Sequence, residues 1–211
     1  MKFPATRGHG FTLIEMIVVI LIIGTLAALL VPAAQRTLDR AKSAQAKNDV
    51  TQIVTAVNAY YTEYGKYPIA TNDTPIANTA DLFYTLRAID PGVGANLGNA
   101  ANPRKIVFIS PPDAKSLTSP RGGIAQQDVL VGITVTIPKG SFVDPWGTTY
   151  KVAIDGDYDN QITTNPYGAN NGAGAQPLQQ GVIAWSFGKD KTLGKSGNNV
   201  YTGSDDIISW Q

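Results

Sequence analysis

Residues 11–31 read FTLIEMIVVILIIGTLAALLV, 21 positions that carry a single charge, Glu15. As a helix rising about 1.5 Å per residue, this stretch spans about 32 Å, the thickness of a bilayer's hydrocarbon core. Ahead of it stands MKFPATRGHG, whose Lys2 and Arg7 suit a cytoplasmic N-terminus; behind it come Arg36, Arg40, Lys42 and Lys47. Charge counting therefore leaves the orientation open. Three readings of the apolar run compete: a signal peptide cut after it, a permanent signal anchor, and a leader cut ahead of it. Glu15 helps to decide among them. A charged group at mid-membrane costs about 2.5–3.5 kcal/mol, less toward the edge, and usually has a partner. A cut between Gly10 and Phe11 creates an α-amino cation level with the apolar run, where it can neutralise Glu15 of a neighbouring subunit. An ordinary signal peptide gives no reason for the glutamate.

The composition removes several classes of function. At 211 residues there is room for one ordinary domain and an appendage. Seventeen basic residues stand against sixteen acidic ones, net +1, with no run of like charge, so the footprint of a nucleic-acid binder is missing and no nucleic acid is expected as partner. There is no cysteine, which excludes disulfides, thiolate zinc sites and thiol nucleophiles together. The one histidine, His9, lies in the segment expected to be cut away.

Beyond Pro32 the sequence stays helix-like to Tyr64. Val50, Ile53, Val54, Val57, Tyr61 and Tyr64 recur at spacings of three and four and share a face, with Lys47, Asp49, Gln52 and Asn58 between them. Taken from 11 to 64, one continuous helix would measure about 81 Å, with a membrane-spanning first half and an amphipathic second half. Gly65 and Pro68 supply a stop. The spacing then predicts a short helix over 81–89, with Leu82, Phe83, Leu86 and Ile89 on one face. Strands are predicted over 105–109, 129–137, 150–154 and 182–187. Helix first and strands later imply an α+β fold, a long N-terminal helix packed against a small antiparallel β-sheet head.

Gly10-Phe11-Thr12-Leu13-Ile14-Glu15 resembles the class III signal of type IV pilins and type II secretion pseudopilins. That resemblance implies cleavage by a prepilin peptidase after Gly10, N-methylation of Phe11, and a role for Glu15 in subunit docking. Gly24 and Pro32 fall where helices of that family carry their breakers. Proline inside a helix costs about 3 kcal/mol, so local loosening there is physically reasonable. The expected segments are a leader at 1–10, a transmembrane polymerisation helix at 11–32, an amphipathic helix at 33–64 and a head at 65–211.

Asp144-Pro145-Trp146-Gly147 is by itself a turn that opens a strand. Together with Gly156-Asp157-Tyr158-Asp159 and the closing Asp205-Asp206-Ile207-Ile208-Ser209-Trp210, it resembles the C-terminal half of the major pseudopilin of type II secretion systems. Stretches 71–141 and 164–181 look like insertions relative to that pattern. In the resembling proteins the Gly-rich tail loop binds calcium. Carried over onto this chain, the implied ligands are Asp190, Asp205 and Asp206, with the backbone carbonyls of Phe187 and Gly203. The oxygen-rich, flexible loop at 187–206 has the chemistry a hard cation wants, and a cation would close it where a disulfide cannot. Residues 155–160 superficially suggest an EF-hand, but the sixth position is Asn160 and the twelfth is Pro166, so this reading is rejected in favour of an aspartate-rich turn, which would at most contribute to a second weak cation site.

The leading functional expectation is a structural, non-enzymatic subunit of a type II secretion pseudopilus. Its implied partners are identical subunits in a helical filament, minor pseudopilins and the inner-membrane assembly platform. Its implied place is the bacterial inner membrane, single-pass, with the head periplasmic. The alternative is a type IV pilin of a surface filament for adhesion, motility or DNA uptake. A remote third is a membrane-anchored hydrolase using two of Asp155, Asp157, Asp159, Asp190, Asp205 and Asp206 as acid and base, for which no apolar pocket that would raise one pKa is evident.

Overall fold

The computed structural model describes residues 11–69, 71–131, 134–163, 165–168 and 171–211. Its first element, α1, runs from Leu13 to Tyr64. Thr12 starts it with a reciprocal cap: its hydroxyl accepts from Glu15 N (3.3 Å), while Glu15 Oε2 accepts from both Thr12 N and Thr12 Oγ1 (2.7 Å each). Helix geometry continues through Gly24 and Pro32. At the other end Gly65, at φ +66°, donates its N–H to the Tyr61 carbonyl (2.8 Å), the left-handed glycine stop expected from the sequence. Contacts divide the chain into two compact units, Met1–Ala41 and Lys42–Gln211, so the second half of α1 belongs to the head.

In the head, the face of α1 that is buried carries Ala46, Val50, Ile53, Ala56, Val57 and Tyr60. The stripe read from the sequence is one position off at its end. Tyr60 is buried and donates its hydroxyl to the Ala101 carbonyl (2.5 Å), whereas Tyr61 is 39% exposed and stacks on Tyr67. Two residues assigned to the polar face are also enlisted by the head. Asp49 is buried and accepts from the Tyr150 hydroxyl (2.7 Å). Lys47 donates through Nζ to the carbonyls of Ile208 (2.7 Å) and Gln211.

The second helix, α2, spans Thr79–Leu86 and buries Leu82, Phe83 and Leu86 against that stripe. It is capped by Asn78, which accepts from Ala80 N. It ends earlier than the spacing suggested, because Ala88 turns into the left-handed region (φ +56°) and leaves Ile89 beyond the helix. The strand expected over 105–109 does not form. Phe108 N and Ile109 N both point at the Leu86 carbonyl, and the Asn102 side chain brackets Ile106, so the segment is tied to the end of α2 and pairs with no strand.

The seven described strands are β1 (Gly123–Ile124), β2 (Val129–Val131), β3 (Thr134–Ile137), β4 (Phe142–Val143), β5 (Lys151–Ile154), β6 (Val182–Ser186) and β7 (Ile207–Ile208). They form three antiparallel sheets, β1–β4, β2–β3 and β5–β6–β7. The run at 129–137, read as one strand, is a hairpin: Leu130 faces Val135 and Val131 faces Thr134. These pairs set odd against even positions, so the period-two alternation read straight through 129–137 changes parity where the chain reverses, and the sequence pattern carried no mark of that reversal; residues 132 and 133 themselves lie outside the described ones.

The β5–β6–β7 sheet is buried on both faces. Val152, Ile154, Val182 and Ala184 join the core around α1, while Ala153, Ile183, Trp185 and Ile208 join a second cluster with Ile162, Tyr167, Ala173 and Leu178. The two stretches read as insertions thus supply core. Ile76, Phe83, Ile109 and Ile124 come from the first, Tyr167, Ala173 and Leu178 from the second.

Removing the Tyr150 hydroxyl leaves a buried Asp49 oxygen without its donor, so Tyr150→Phe is expected to destabilise the head by about 1–3 kcal/mol. Tyr61→Phe, on the exposed flank, is expected to stay within about 0.5 kcal/mol. Thermal unfolding of the full chain in detergent compares the two.

Candidate functional site

The chemistry of the chain concentrates in two places, one in each compact unit. In the first unit, every large apolar side chain on α1 from Leu13 to Val31 is exposed, from 44% at Val19 to 77% at Leu13. Burying one such Leu, Ile or Val is worth about 1.5–3 kcal/mol, so the segment carries a favourable term of tens of kcal/mol that only a membrane or other chains can collect. Phe11 is 73% exposed, and beside it Glu15 holds the Thr12 cap. In this chain the carboxylate satisfies N–H and hydroxyl donors that a helix start would otherwise leave open, a role the sequence signalled as Thr-x-x-Glu and that the reading of Glu15 as a docking group passed over. The two roles are compatible, because a carboxylate offers about four lone-pair sites. Residues 1–10, the expected leader with Gly10, lie outside the described residues, as does the Pro32 side chain; nothing lies within 4 Å of a Cβ built on Gly24.

In the head, the tail loop brings Asp190, Asp205 and Asp206 together, with one carboxylate oxygen of each within 4.8 Å of the others. Their spacing is fixed by backbone donors. Asp205 Oδ2 accepts from Lys189 N and from Asp190 N (3.0 Å), Asp190 Oδ1 from Thr192 N (2.9 Å), and Asp206 Oδ2 from Gly194 N (2.7 Å). Gly188, at φ +67°, lets the loop pass so close that a Cβ there would collide with the Asp205 carbonyl. Asp190 and Asp205 are exposed, but Asp206 is only 4% exposed; its Oδ1 meets no donor in hydrogen-bond geometry, although the Tyr167 hydroxyl lies close to the carboxylate. Burial pushes the Asp206 carboxyl above the usual carboxylate range. The Tyr167 hydroxyl and Gly194 N–H offset this in part, and neighbouring Asp205 and Asp190 add to it. A buried carboxylate beside two further carboxylates offers oxygens of the kind a hard cation takes. Two oxygens on one calcium, each about 2.4 Å away, are at most about twice that distance apart. Phe187, half-buried against the second cluster, follows β6, and Gly203 sits at φ +78° shortly before Asp205.

The C-terminal motif acts as a clasp around this loop. Ser209 and Ala184 exchange bonds, Ala184 N to Ser209 Oγ (3.0 Å) and Ser209 N to the Ala184 carbonyl (2.9 Å), and Trp210 Nε1 donates to the Ala173 carbonyl (2.6 Å). Asp144, read from the sequence as part of a simple turn, is a buried hub. Its Oδ1 accepts from the N–H groups of Trp146, Gly147 and Thr148 (2.8–2.9 Å), and its Oδ2 from Ser186 Oγ (2.5 Å), which in turn accepts from Gly188 N (3.1 Å). Turn, strand β6 and tail loop are thereby one network. The only advance signal was Asp at the first position of a Pro-x-Gly turn, where it usually accepts from the turn's own N–H groups.

Residues 6–31 match the family described as the prokaryotic N-terminal methylation motif. The type IV major pilin protein PilA of Myxococcus xanthus is 31% identical over 96 residues, 46% of this chain and 44% of that protein. The type II secretion system core protein G of Pseudomonas aeruginosa is 46% identical over 59 residues, 28% of this chain and 42% of that protein. The toxin coregulated pilin of Vibrio cholerae is 24% identical over 171 residues, 78% of this chain and 74% of that protein. The chain thus spans less than half the length of the first two of these curated relatives. No solved structure matches.

Burial raises Asp206, Asp144 and Asp49 alike, so the folded state holds their protons more tightly than the unfolded one. Their contribution to stability is therefore greatest at low pH and falls as pH rises through the raised values. In chelator, the melting temperature of the full chain is expected to rise as pH is lowered from neutrality toward the ordinary aspartate range at about 4, with a shallower slope in Asp206→Asn.

Proposed function

We propose that this chain, which belongs to the type IV pilin-like family, is a structural subunit of a type II secretion pseudopilus, cut by prepilin peptidase after Gly10 and polymerised through α1. The observation that carries a filament role is the apolar first half of α1, exposed along its length and headed by Phe11 and Glu15. In the membrane it is an anchor. In a filament the same side chains bury one another, and Glu15 accepts the α-amino cation of a neighbour's Phe11, at which point both charges leave water as a pair. Partners in this reading are identical subunits, minor pseudopilins and the inner-membrane assembly platform, with the head periplasmic.

Support for the secretion branch comes from the head. The tail loop lacks any cysteine to close it, and it assembles Asp190, Asp205 and the buried Asp206 with one oxygen of each close enough to share an ion. These three, with the carbonyls of Phe187 and Gly203, are our proposed calcium ligands. A bound calcium would supply a positive charge that cancels the mutual repulsion of the aspartates and orders a loop with little apolar surface of its own. A structural role fits the side chains better than a catalytic one: past residue 10 there is neither His nor Cys, and the aspartates are occupied by backbone N–H groups. The second reading, a surface type IV pilin, is favoured by the match to the toxin coregulated pilin, which runs over most of both chains.

Deletion of the gene, scored in parallel for retained exoproteins and for surface filaments, separates the two. Loss of secretion with surface filaments intact is expected; loss of surface filaments with secretion intact makes the chain a surface pilin. For the calcium ligands, chelation is expected to lower the melting temperature of the full chain and Asp206→Asn to shrink the difference, since an ion at about 100 times its dissociation constant adds about 2.7 kcal/mol. A melting temperature indifferent to chelator contradicts the assignment.

A further inference from the structure

A second group of carboxylates lies in the head, and the sequence showed only part of it. Asp155 and Asp157 belong to the aspartate-rich turn after β5; Asp73 comes from the segment between α1 and α2, more than eighty residues earlier. One oxygen of each lies within 4.8 Å of the others. We propose that Asp73, Asp155 and Asp157 form a second site for a hard divalent cation, which staples the segment leaving α1 to the end of β5.

The case does not rest on three acidic residues being near one another. Asp73 is only 4% exposed, and its Oδ1 has no hydrogen-bond partner, while its Oδ2 takes both Thr163 N (2.9 Å) and Thr163 Oγ1 (2.6 Å). A carboxylate oxygen removed from water and left without a donor is costly unless something positive meets it. Asp155 is buried too, at 2% exposed, and each of its oxygens accepts one backbone bond, from Tyr158 N and Asn160 N (2.7 Å each), which leaves a lone pair on each. Asp157 is exposed and gives the site its opening to solvent. The Arg87–Asp113 and Arg104–Glu63 ion pairs do not involve this group.

The backbone around the group is fastened before any ion arrives. Asp73 N and Thr71 Oγ1 both donate to the Ile154 carbonyl (3.3 and 3.0 Å), and Ile76 N donates to the Val152 carbonyl (2.8 Å). Gly156 packs so closely on Thr71 that any Cβ there would strike the Thr71 carbonyl. Asp73 itself holds φ +58°, a conformation seldom adopted by residues other than glycine, asparagine and aspartate. Two strands of chain are thus locked side by side with their carboxylates converging. Three carboxylates and solvent waters at the Asp157 side suit calcium, which tolerates irregular coordination by about six to eight oxygens, better than magnesium, which demands a near-octahedral shell.

The site is independent of the tail loop and of the kind of filament the chain builds. Hydrogen exchange of the full-length protein in detergent, with calcium as the probe, reads each region separately. With calcium at about ten times its dissociation constant, exchange of peptides covering 71–76 and 154–163 is expected to slow about tenfold. Asp157→Asn, a change at an exposed side chain that the fold does not need, should abolish that protection while leaving any protection of 187–206 in place. Asp73→Asn should do the same wherever its circular dichroism shows it folded. Protection confined to 187–206, no protection anywhere, or protection of 154–163 that survives Asp157→Asn would each overturn the proposal.

Discussion

The constraint on which the rest depends is an amphipathicity that changes along one helix. From Leu13 to Val31 the apolar side chains of α1 point in every direction and remain exposed; from Ala46 to Tyr60 they collect on one face and are buried by the head. A segment that is apolar all round is stable only where no face meets water, whereas a one-sided stripe demands a partner on that side alone. The two units of the chain follow from that difference, with the change of unit falling between Ala41 and Lys42 inside a single element. Glu15 is the exception that proves informative, since a charge within the apolar half is tolerated where it has donors, here those of Thr12.

In the head the organising groups are buried aspartates rather than apolar contacts alone. Asp49 joins α1 to Tyr150, Asp144 joins its own turn to Ser186 and through it to Gly188, and Asp206 takes the Gly194 N–H inside the tail loop. Each costs desolvation, and each repays it by accepting hydrogen bonds from segments far apart in sequence, which specifies register in a fold whose sheets have only two or three strands. The head has no disulfide to do this work. Asp73 Oδ1 and Asp206 Oδ1 meet no donor in hydrogen-bond geometry, and it is at these two aspartates that the proposed cation sites lie.

Much of this was legible in the sequence because it is written in short-range pattern. The 3.6-residue spacing along α1, the Gly65 stop, the alternation in β5 and β6, and the clustering of Asp190 with Asp205 and Asp206 all depend on neighbours within a few residues or on an ordered motif. What escaped depends on tertiary context. Tyr60 and Tyr61 are adjacent on the helix surface, and only the position of Phe108 and the Ala101 carbonyl decides which of them is buried. The segment at 105–109 has strand-like composition but meets the end of α2 in place of a partner strand. Asp73 looked like an ordinary loop residue because its companions lie more than eighty positions away.

The central claim, that the apolar half of α1 is retained as an assembly helix behind a removable leader, is tested most directly by intact-mass spectrometry of the chain recovered from membranes and from sheared or sedimented filaments. The expected mass is that of a chain beginning at Phe11 and carrying one methyl group. A chain beginning beyond residue 31, with the apolar segment removed, or one that keeps residues 1–10 in the assembled form would contradict it.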